Sequence, residues 1–414
     1  MPEIEITAMS FGRLALGRLD RRVVMVPAGA PGDLVEVTLT EERKNYALAR
    51  IERIVRPSAE RRLAPCPYLP RCGGCDWQHL SYQAQLRHKA GIIAAELART
   101  AKLDLDPEGL VEAADAEFGY RARLRLKANR DGSLGFREAE SSRMVAVERC
   151  LVADPGLRMP RRFAREVRCS EIEVVVDEDR QVLVGHLLAK PTQAELRRCQ
   201  TLLSEDPTLS GIVLRGGGLR CPVGSIQVRL ALEAGLALEV DADLFTQVNR
   251  AQNLRLVRYV MELSAPESGR RVLDLFCGAG NFTLPVARRG AMVIGADRDA
   301  FSVAAGRHNA ARLGLSQAQF VCLEAAQAAS FVKATGFRPD VIILDPPRQG
   351  AGELMPALLS LRPAAIVYVS CNPPTLTRDL QTLLRGGFRI DRARGFDFFP
   401  NTHHVEVVAR AVLT

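Results

Sequence analysis

The 414-residue chain lacks any run of about 18 consecutive apolar residues, so no transmembrane helix is expected. Its first residues, MPEIEITAMSFGR, place acids where a secretory signal carries bases and contain no apolar core, which predicts a cytoplasmic protein with no membrane partner. The sequence also has no long low-complexity tract and no internal repeat, and its composition excludes global disorder, collagen and a coiled-coil rod. What is present is ordinary globular material, 47% hydrophobic and 25% charged, at a length that suggests two or three domains. A monomer is expected.

Charge is unevenly spread. The chain holds 56 Lys and Arg against 48 Asp and Glu, a net charge of +8. Residues 61–165 carry 19 bases and 13 acids, and residues 241–414 carry 20 and 15, whereas residues 166–240 carry 8 and 11. Such a distribution suits a nucleic-acid binder with a discrete footprint, and equally a solubilising surface. Within the first basic stretch, Tyr120–Asn129 alternates. Read as a strand, it buries Ala122, Leu124, Leu126 and Ala128 and presents Arg121, Arg123, Arg125 and Lys127 on the other face. Four like charges in line repel one another, so a phosphate-binding face is expected there.

Residues 1–56 read as five short strands, Glu3–Ala8, Gly12–Leu16, Arg22–Pro27, Leu34–Leu39 and Tyr46–Val55, broken by turn-forming residues. That pattern predicts a small barrel of the OB type, a common RNA-binding scaffold. Residues 57–240 form a central α+β domain: irregular at first, then a helix capped by Ser81 with Leu86, Ala90, Ile93 and Leu97 on one face, then strands and short helices. From 241 to 414 the texture is α/β. Apolar runs of strand length at Val272–Phe276, Met292–Ala296, Phe320–Leu323, Val341–Leu344 and Ala365–Ser370 are separated by helical patterns, which predicts a parallel, doubly wound sheet.

Ten cysteines in a cytosolic chain point away from a disulfide framework and toward metal binding or chemistry. Cys66, Cys72 and Cys75 lie together in Pro- and Gly-rich coil, and Cys150 or Cys169 downstream offers a fourth thiolate. Four thiolates suit either a 4Fe–4S cluster or zinc, and spacing alone does not choose between them. The CxxxCxxC triplet of radical enzymes is missing.

The run Val272-Leu-Asp-Leu-Phe-Cys-Gly278-Ala-Gly280-Asn281 is a buried strand entering a glycine turn, where a ligand can approach the backbone closely. It is not GxGxxG, and it resembles motif I of class I S-adenosylmethionine (SAM) methyltransferases. The next strand ends at Asp297, an acid placed to accept hydrogen bonds from ribose hydroxyls. A third strand ends in Asp345-Pro-Pro-Arg348, without the NPPY of amino-directed methyltransferases and without the cysteine that follows the prolines in RNA cytosine-C5 enzymes.

A fourth strand delivers Ser370-Cys371-Asn-Pro-Pro to the same edge. A thiolate there suits a target carbon too weak to attack a methyl donor unaided, such as C5 of uracil: addition to C6 creates an enolate with electron density at C5. Elimination then needs a base for the C5 proton. Glu406, a carboxylate entering the apolar run Val405–Leu413, is a candidate. His403 and His404 beside it are expected to hydrogen-bond rather than bind metal.

Together these residues resemble the RNA uracil-C5 methyltransferases that make 5-methyluridine in 23S rRNA and tRNA. The resemblance covers nearly the whole chain. The N-terminal barrel resembles that family's TRAM domain. Cys66, Cys72, Cys75 and Cys150 match the ligands of the 4Fe–4S cluster of the ribosomal branch. Asp243-Leu-Phe-Thr-Gln247-Val-Asn matches DxFxQxN, and Gln247, Phe276, Asn281, Asp297, Glu324 and Asp345 fall at cofactor positions. SCNPPTLTRDL makes Cys371 the family nucleophile, and DFFPNTHHVE makes Glu406 the base. Barrel and cluster together imply 23S rRNA as substrate, with tRNA uridine 54 second. A non-catalytic RNA chaperone is the alternative from another class.

Overall fold

In the computed structural model, which describes residues 1–129 and 131–414, the first five strands close on themselves. They are β1 (Glu3–Met9), β2 (Leu14–Leu19), β3 (Arg22–Pro27), β4 (Leu34–Glu42) and β5 (Tyr46–Arg56), in the order β1-β2-β3-β5-β4. Their alternation turns Ile4, Ile6, Val24, Val26 and Val35 inward, and Trp77, Leu80 and Ala84 complete this core. Closure leaves no free sheet edge. Helix α1 (Tyr82–Ala101) starts at Ser81, whose side chain accepts from the Ala84 N–H. Its buried face holds Ala90, Ile93 and Leu97 as expected, but Gln85 and Lys89 are fully buried where Leu86 is only half-buried. Strand β6 (Val111–Glu112) follows.

Seven strands make a second sheet: β7 (Arg123–Ala128), β8 (Leu134–Arg137), β9 (Met144–Ala146), β10 (Glu171–Asp177), β11 (Arg180–His186), β12 (Leu209–Gly216) and β13 (Leu219–Gly224), in the order β13-β12-β11-β10-β7-β8-β9. Helices α2 (Arg161–Glu166) and α3 (Gln193–Glu205) accompany it, α3 opening with a Thr192/Glu195 capping box. The hairpin β14 (Gln227–Glu233) and β15 (Leu236–Asp241) comes next.

The remainder alternates helix and strand: α4 (Arg250–Ser264), β16 (Arg271–Leu275), α5 (Thr283–Arg288), β17 (Met292–Asp297), α6 (Ala300–Arg312), β18 (Ala318–Cys322), α7 (Ala325–Ala334), β19 (Val341–Leu344), α8 (Met355–Leu361), β20 (Ala365–Ser370), α9 (Pro373–Arg385), β21 (Phe388–Phe396) and β22 (Glu406–Leu413). The sheet order is β18-β17-β16-β19-β20-β22-β21. The five strands from β18 to β20 are parallel and β22 runs antiparallel to β20, so the doubly wound sheet read from the apolar runs is present. The end of β21 pairs with β6 through Gly395 and Phe396. Among the described residues, no helix is long and apolar enough to cross a membrane.

The chain packs as two compact units, one of residues 1–117, 137–143 and 394–406, the other of residues 118–136, 144–393 and 407–414. These limits differ from boundaries at residues 56 and 240. The physical reason at 240 is a shared core: Val228 and Leu230 of the hairpin pack in one cluster with Val182 and Val213 before them and with Leu284 and Phe320 after them.

Asp33 anchors the end of the barrel. It is fully buried, accepts from the N–H groups of Ala30 (2.7 Å) and Ser58 (2.8 Å), and takes a two-pronged bond from Arg61. Burial opposes its ionised form, but the Arg61 and backbone hydrogen bonds outweigh that and hold the carboxyl below the usual carboxylate range. Its contribution is therefore present at neutral pH and is lost as pH falls through the depressed value. Asp33→Ala is expected to cost about 3 kcal/mol at pH 7 and progressively less in acid, measured by urea unfolding across pH.

Candidate active site

Five neighbouring parallel strands each end at one edge of the sheet, and each delivers one of the residues singled out in the sequence. In spatial order they are Glu324 just past β18, Asp297 closing β17, Phe276–Asn281 following β16, Asp345 after β19 and Cys371 after β20. The chain winds to one side of β16 for β17 and β18 and then crosses to the other side for β19, so the switch point lies between β16 and β19, where doubly wound sheets open a ligand crevice. At about 4.8 Å per strand, Asp297 and Cys371 stand roughly 14 Å apart along the sheet edge.

The turn after β16 is strained and open. Phe276 has φ +63°, a left-handed conformation rare for a bulky residue. Gly278 has φ +54°, and a Cβ placed on it would meet nothing within 4 Å, so its backbone faces empty space. Gly280, at φ +106°, is different: a Cβ there would lie 2.9 Å from the Phe320 ring and 3.0 Å from Leu284. One glycine leaves room for a ligand and the other leaves room for the core. The Gly278 N–H donates to Asp297 Oδ2 at 2.9 Å, while Asp297 Oδ1 accepts from the Asp299 N–H at 2.9 Å. Each carboxylate oxygen keeps a lone pair for a ligand hydroxyl. Asn281 exchanges two amide hydrogen bonds with Asn253 of α4 (2.9 and 3.1 Å), so its side chain holds that helix to the turn.

Two acids dominate the electrostatics. Asp274, inside β16, has no exposed surface; Thr283 donates to its Oδ2 at 2.5 Å and its Oδ1 has no hydrogen-bond partner among the described residues. Burial pushes its carboxyl up to about 7 against the Thr283 hydrogen bond, and the charge of Asp345 adds to the rise. Asp345 keeps some exposed surface, yet desolvation pushes its carboxyl up to about 7 as well. An orphaned buried carboxylate oxygen, a second desolvated acid and an open glycine backbone fit a ligand that carries positive charge and ribose hydroxyls, as S-adenosylmethionine does. The signal for Asp274 was available in the sequence: an acid inside an apolar strand run. Gln247 is half-buried in the loop ahead of α4, and Glu324 caps α7 with its side chain largely exposed, 3.9 Å from Arg298. Phe245, in the same loop as Gln247, is 75% exposed, unusual for so large a ring.

Cys371 is half-buried, two residues ahead of α9. Its neighbours are tied to the Asp345 loop: Asn372 Nδ2 and Thr375 Oγ1 both donate to the Arg348 carbonyl (3.0 and 3.2 Å), and Arg378 donates to the Gln349 carbonyl at 2.8 Å. The β20–β22 ladder ends at the pair Ser370 and Val407; Cys371 follows the first and Glu406 precedes the second. Glu406 is buried.

The basic stripe lies on one face as expected, but the neighbouring strand β10 answers it. Glu171 pairs with both Arg125 and Lys127, and Arg123 lies 3.5 Å from Glu173 and donates to the Ala242 carbonyl. Only Arg125, with 58% of its side chain exposed, still faces solvent broadly. Arg121 sits between isolated bridges to Ala153 and Asn249. The stripe is thus a charge ladder across two strands rather than four bare cations, a pairing invisible without the strand order.

Cys66, Cys72 and Cys75 are half-buried on one coil. That coil is pinned to the 137–143 turn by Gly73 N–H to the Arg137 carbonyl (3.0 Å) and Ala139 N–H to the Arg71 carbonyl (3.0 Å). Cys150 is half-buried in the other unit. Cys169, the competing fourth thiol, is buried and its pKa is pushed up to about 12, which suits a core thiol and not a thiolate ligand. Among the described residues, no three or more His, Cys, Asp or Glu side chains are gathered as a metal-ligand group. The chemistry of four thiols fits an iron–sulfur cluster and zinc alike.

Comparison with known proteins bears on both ends of the chain. Residues 233–410 match the family described as tRNA (uracil-5-)-methyltransferase, and residues 3–51 match the TRAM domain. The chain is 33% identical to a 23S rRNA (uracil(1939)-C(5))-methyltransferase of Shewanella amazonensis, covering 94% of this chain and 90% of that one. It is 35% identical to the protein of the same description from Alkalilimnicola ehrlichii, covering 98% and 95%. Among solved structures it resembles the Pyrococcus abyssi tRNA (uracil-54, C5)-methyltransferase in complex with S-adenosyl-L-homocysteine, with a TM-score of 0.75 and 25% identity over 99% of this chain and all of that one.

The contrast between the two glycines gives a direct test. Gly280→Ala is expected to destabilise the fold by about 1–3 kcal/mol through overpacking. Gly278→Ala should cost about 1 kcal/mol of stability yet weaken S-adenosyl-L-homocysteine binding about tenfold, because the new methyl group occupies ligand space. Calorimetric titration alongside thermal melting separates the two.

Proposed function

The chain belongs to the family of RNA uracil-C5 methyltransferases, and from that premise we propose that it methylates C5 of a uridine in 23S rRNA to give 5-methyluridine. The observation that carries the proposal is the position of Cys371: it stands at the carboxyl end of β20, on the sheet edge that also holds the glycine turn, Asp297 and Asp345. The near full-length relatives named for 23S rRNA favour that substrate. The Pyrococcus structure, named for tRNA uracil-54, supports tRNA as the second reading.

S-adenosylmethionine, when bound, supplies an electrophilic methyl group on a sulfonium. Gly278, Asp297 and the buried acids Asp274 and Asp345 would hold it, with Gln247, Phe276 and Glu324 beside them; Asn281 serves through its grip on Asn253. Cys371 adds as thiolate to uracil C6, and the electron pair of the C5–C6 double bond moves into the O4 enolate. The enolate's electron pair then bonds C5 to the methyl carbon as the S–CH3 bond of the sulfonium breaks, and S-adenosyl-L-homocysteine is left as the neutral thioether. Glu406 removes the C5 proton, the C5–C6 double bond re-forms and the Cys371 thiolate leaves. Covalent addition thereby divides one hard substitution into two easier steps.

RNA recognition in this reading uses the barrel of residues 1–56 and, as a separate contact, Arg125, the most exposed member of the stripe that includes Arg121, Arg123 and Lys127. The target uridine must leave its stack to reach Cys371. Phe245 offers an exposed aromatic face for a base beside the cofactor loop. Cys66, Cys72, Cys75 and Cys150 would hold a 4Fe–4S cluster with a structural role. The protein acts as a cytoplasmic monomer, needing no second copy for any of these groups.

Two measurements test this. With SAM and the purified protein, nucleoside mass spectrometry should find new 5-methyluridine in 23S rRNA lacking the modification and little in bulk tRNA, with Cys371→Ala inactive; methylation confined to tRNA would replace the substrate. Anaerobically purified protein should contain about four irons and four sulfides per chain, and stoichiometric zinc in their place would overturn the cluster.

A further inference from the structure

Glu406 is preceded by a turn whose polar groups are buried, and such a turn keeps its shape only through specific partners. Asn401 has no exposed surface and φ +69°; Asp397 and Phe398 are also fully buried. The Asn401 carbonyl accepts from the N–H groups of Asp76 (3.2 Å) and Trp77 (3.0 Å). Its N–H donates to Gln85 Oε1 at 2.7 Å, and its side-chain oxygen accepts from Arg62 at 2.7 Å. Lys89 Nζ, itself fully buried, donates to Asp397 Oδ1 (2.6 Å) and to the Phe399 carbonyl (3.2 Å). Asp76 makes the contact nearest the base in sequence: its Oδ1 accepts from the His403 N–H at 3.0 Å and its Oδ2 lies 2.5 Å from His403 Nδ1. His403 was expected to hydrogen-bond, and it does.

We propose that Asp76 is a positioning residue for the general base: by fixing His403 and the Asn401 carbonyl it sets where the chain enters β22 and so where Glu406 points. This rests on the role of Glu406 proposed above. A base must come within about 3 Å of the proton it takes, and a misplacement of about 1 Å costs on the order of a hundredfold in rate. Asp76 directly follows Cys75, so the coil with three of the four candidate cluster thiols and the turn leading to the base form one hydrogen-bonded body. The cysteine coil thereby acquires a reason to be ordered.

The two steps of the reaction separate positioning from mere stability. The Cys371–C6 bond and the methyl transfer both precede proton removal, so a displaced base leaves protein, methyl group and RNA joined. Asp76→Ala should retain a methylated protein–RNA adduct on denaturing gels and turn over about a hundredfold slower. It should bind S-adenosyl-L-homocysteine within about twofold of wild type and exchange the backbone amides of residues 401–404 faster. Asp76→Asn, which keeps an acceptor for the His403 N–H, should recover most of the turnover, and it decides the matter if the alanine variant fails to fold. Turnover within about threefold of wild type in Asp76→Ala overturns the proposal, as does loss of methyl transfer with no adduct in a folded variant. If wild type itself transfers no methyl group, or Glu406→Gln forms no adduct, the underlying assignment of the base fails instead.

Discussion

Parallel strands joined by right-handed crossovers must all end at the same edge, and that constraint governs everything else in the catalytic half of the molecule. Five consecutive neighbours, β18-β17-β16-β19-β20, put their carboxyl ends side by side, and α7, α5, α6 and α9 begin close behind four of them. The strand interiors are packed with Val, Ile and Leu that can do no chemistry, so the polar side chains collect at this edge. Acids stranded here lose water without gaining cationic partners, so burial pushes the carboxyls of Asp274 and Asp345 well above the usual carboxylate range. A cationic cofactor is the partner such a pair lacks.

Charge is handled differently elsewhere. In the first unit, buried polar groups are paired: Asp33 with Arg61, Lys89 with Asp397, Gln85 with Asn401. A buried ion pair is weak evidence for stability, because desolvation offsets much of the attraction. What it does provide is geometry, since a fully buried carboxylate and ammonium tolerate few alternative arrangements. Here the geometry belongs to the turn that leads into Glu406. The central sheet uses charge on its surface, where Glu171 and Glu173 of β10 partly offset a basic row on β7. The excess positive charge seen in composition is therefore not a single bare patch.

Much of this was legible beforehand. The barrel strands, the Ser81 cap and the five apolar runs of the parallel sheet follow local rules of alternation, capping and run length, and they came out within a few residues. The gathering of Cys371, Asp297 and Asp345 at one edge was legible because each closes or follows an apolar strand run of a doubly wound sheet. Three things were not. Buried polar residues on α1 look in sequence like exposed ones, so Gln85 and Lys89 were missed and Leu86 was given too much weight. The pairing of the stripe depended on which strand lies beside β7, a non-local fact. The sharing of one hydrophobic cluster by residues on both sides of 240 is likewise non-local, and no composition shift marks it.

The central claim is that Cys371 activates uracil C5 for methylation. Its most direct test is tritium release from RNA labelled at uracil C5, with SAM present and Cys371→Ala as control. The account predicts release from 23S rRNA that depends on SAM and vanishes in the variant. Equal release from the variant, or none from wild-type protein that is folded and binds S-adenosyl-L-homocysteine, would contradict it.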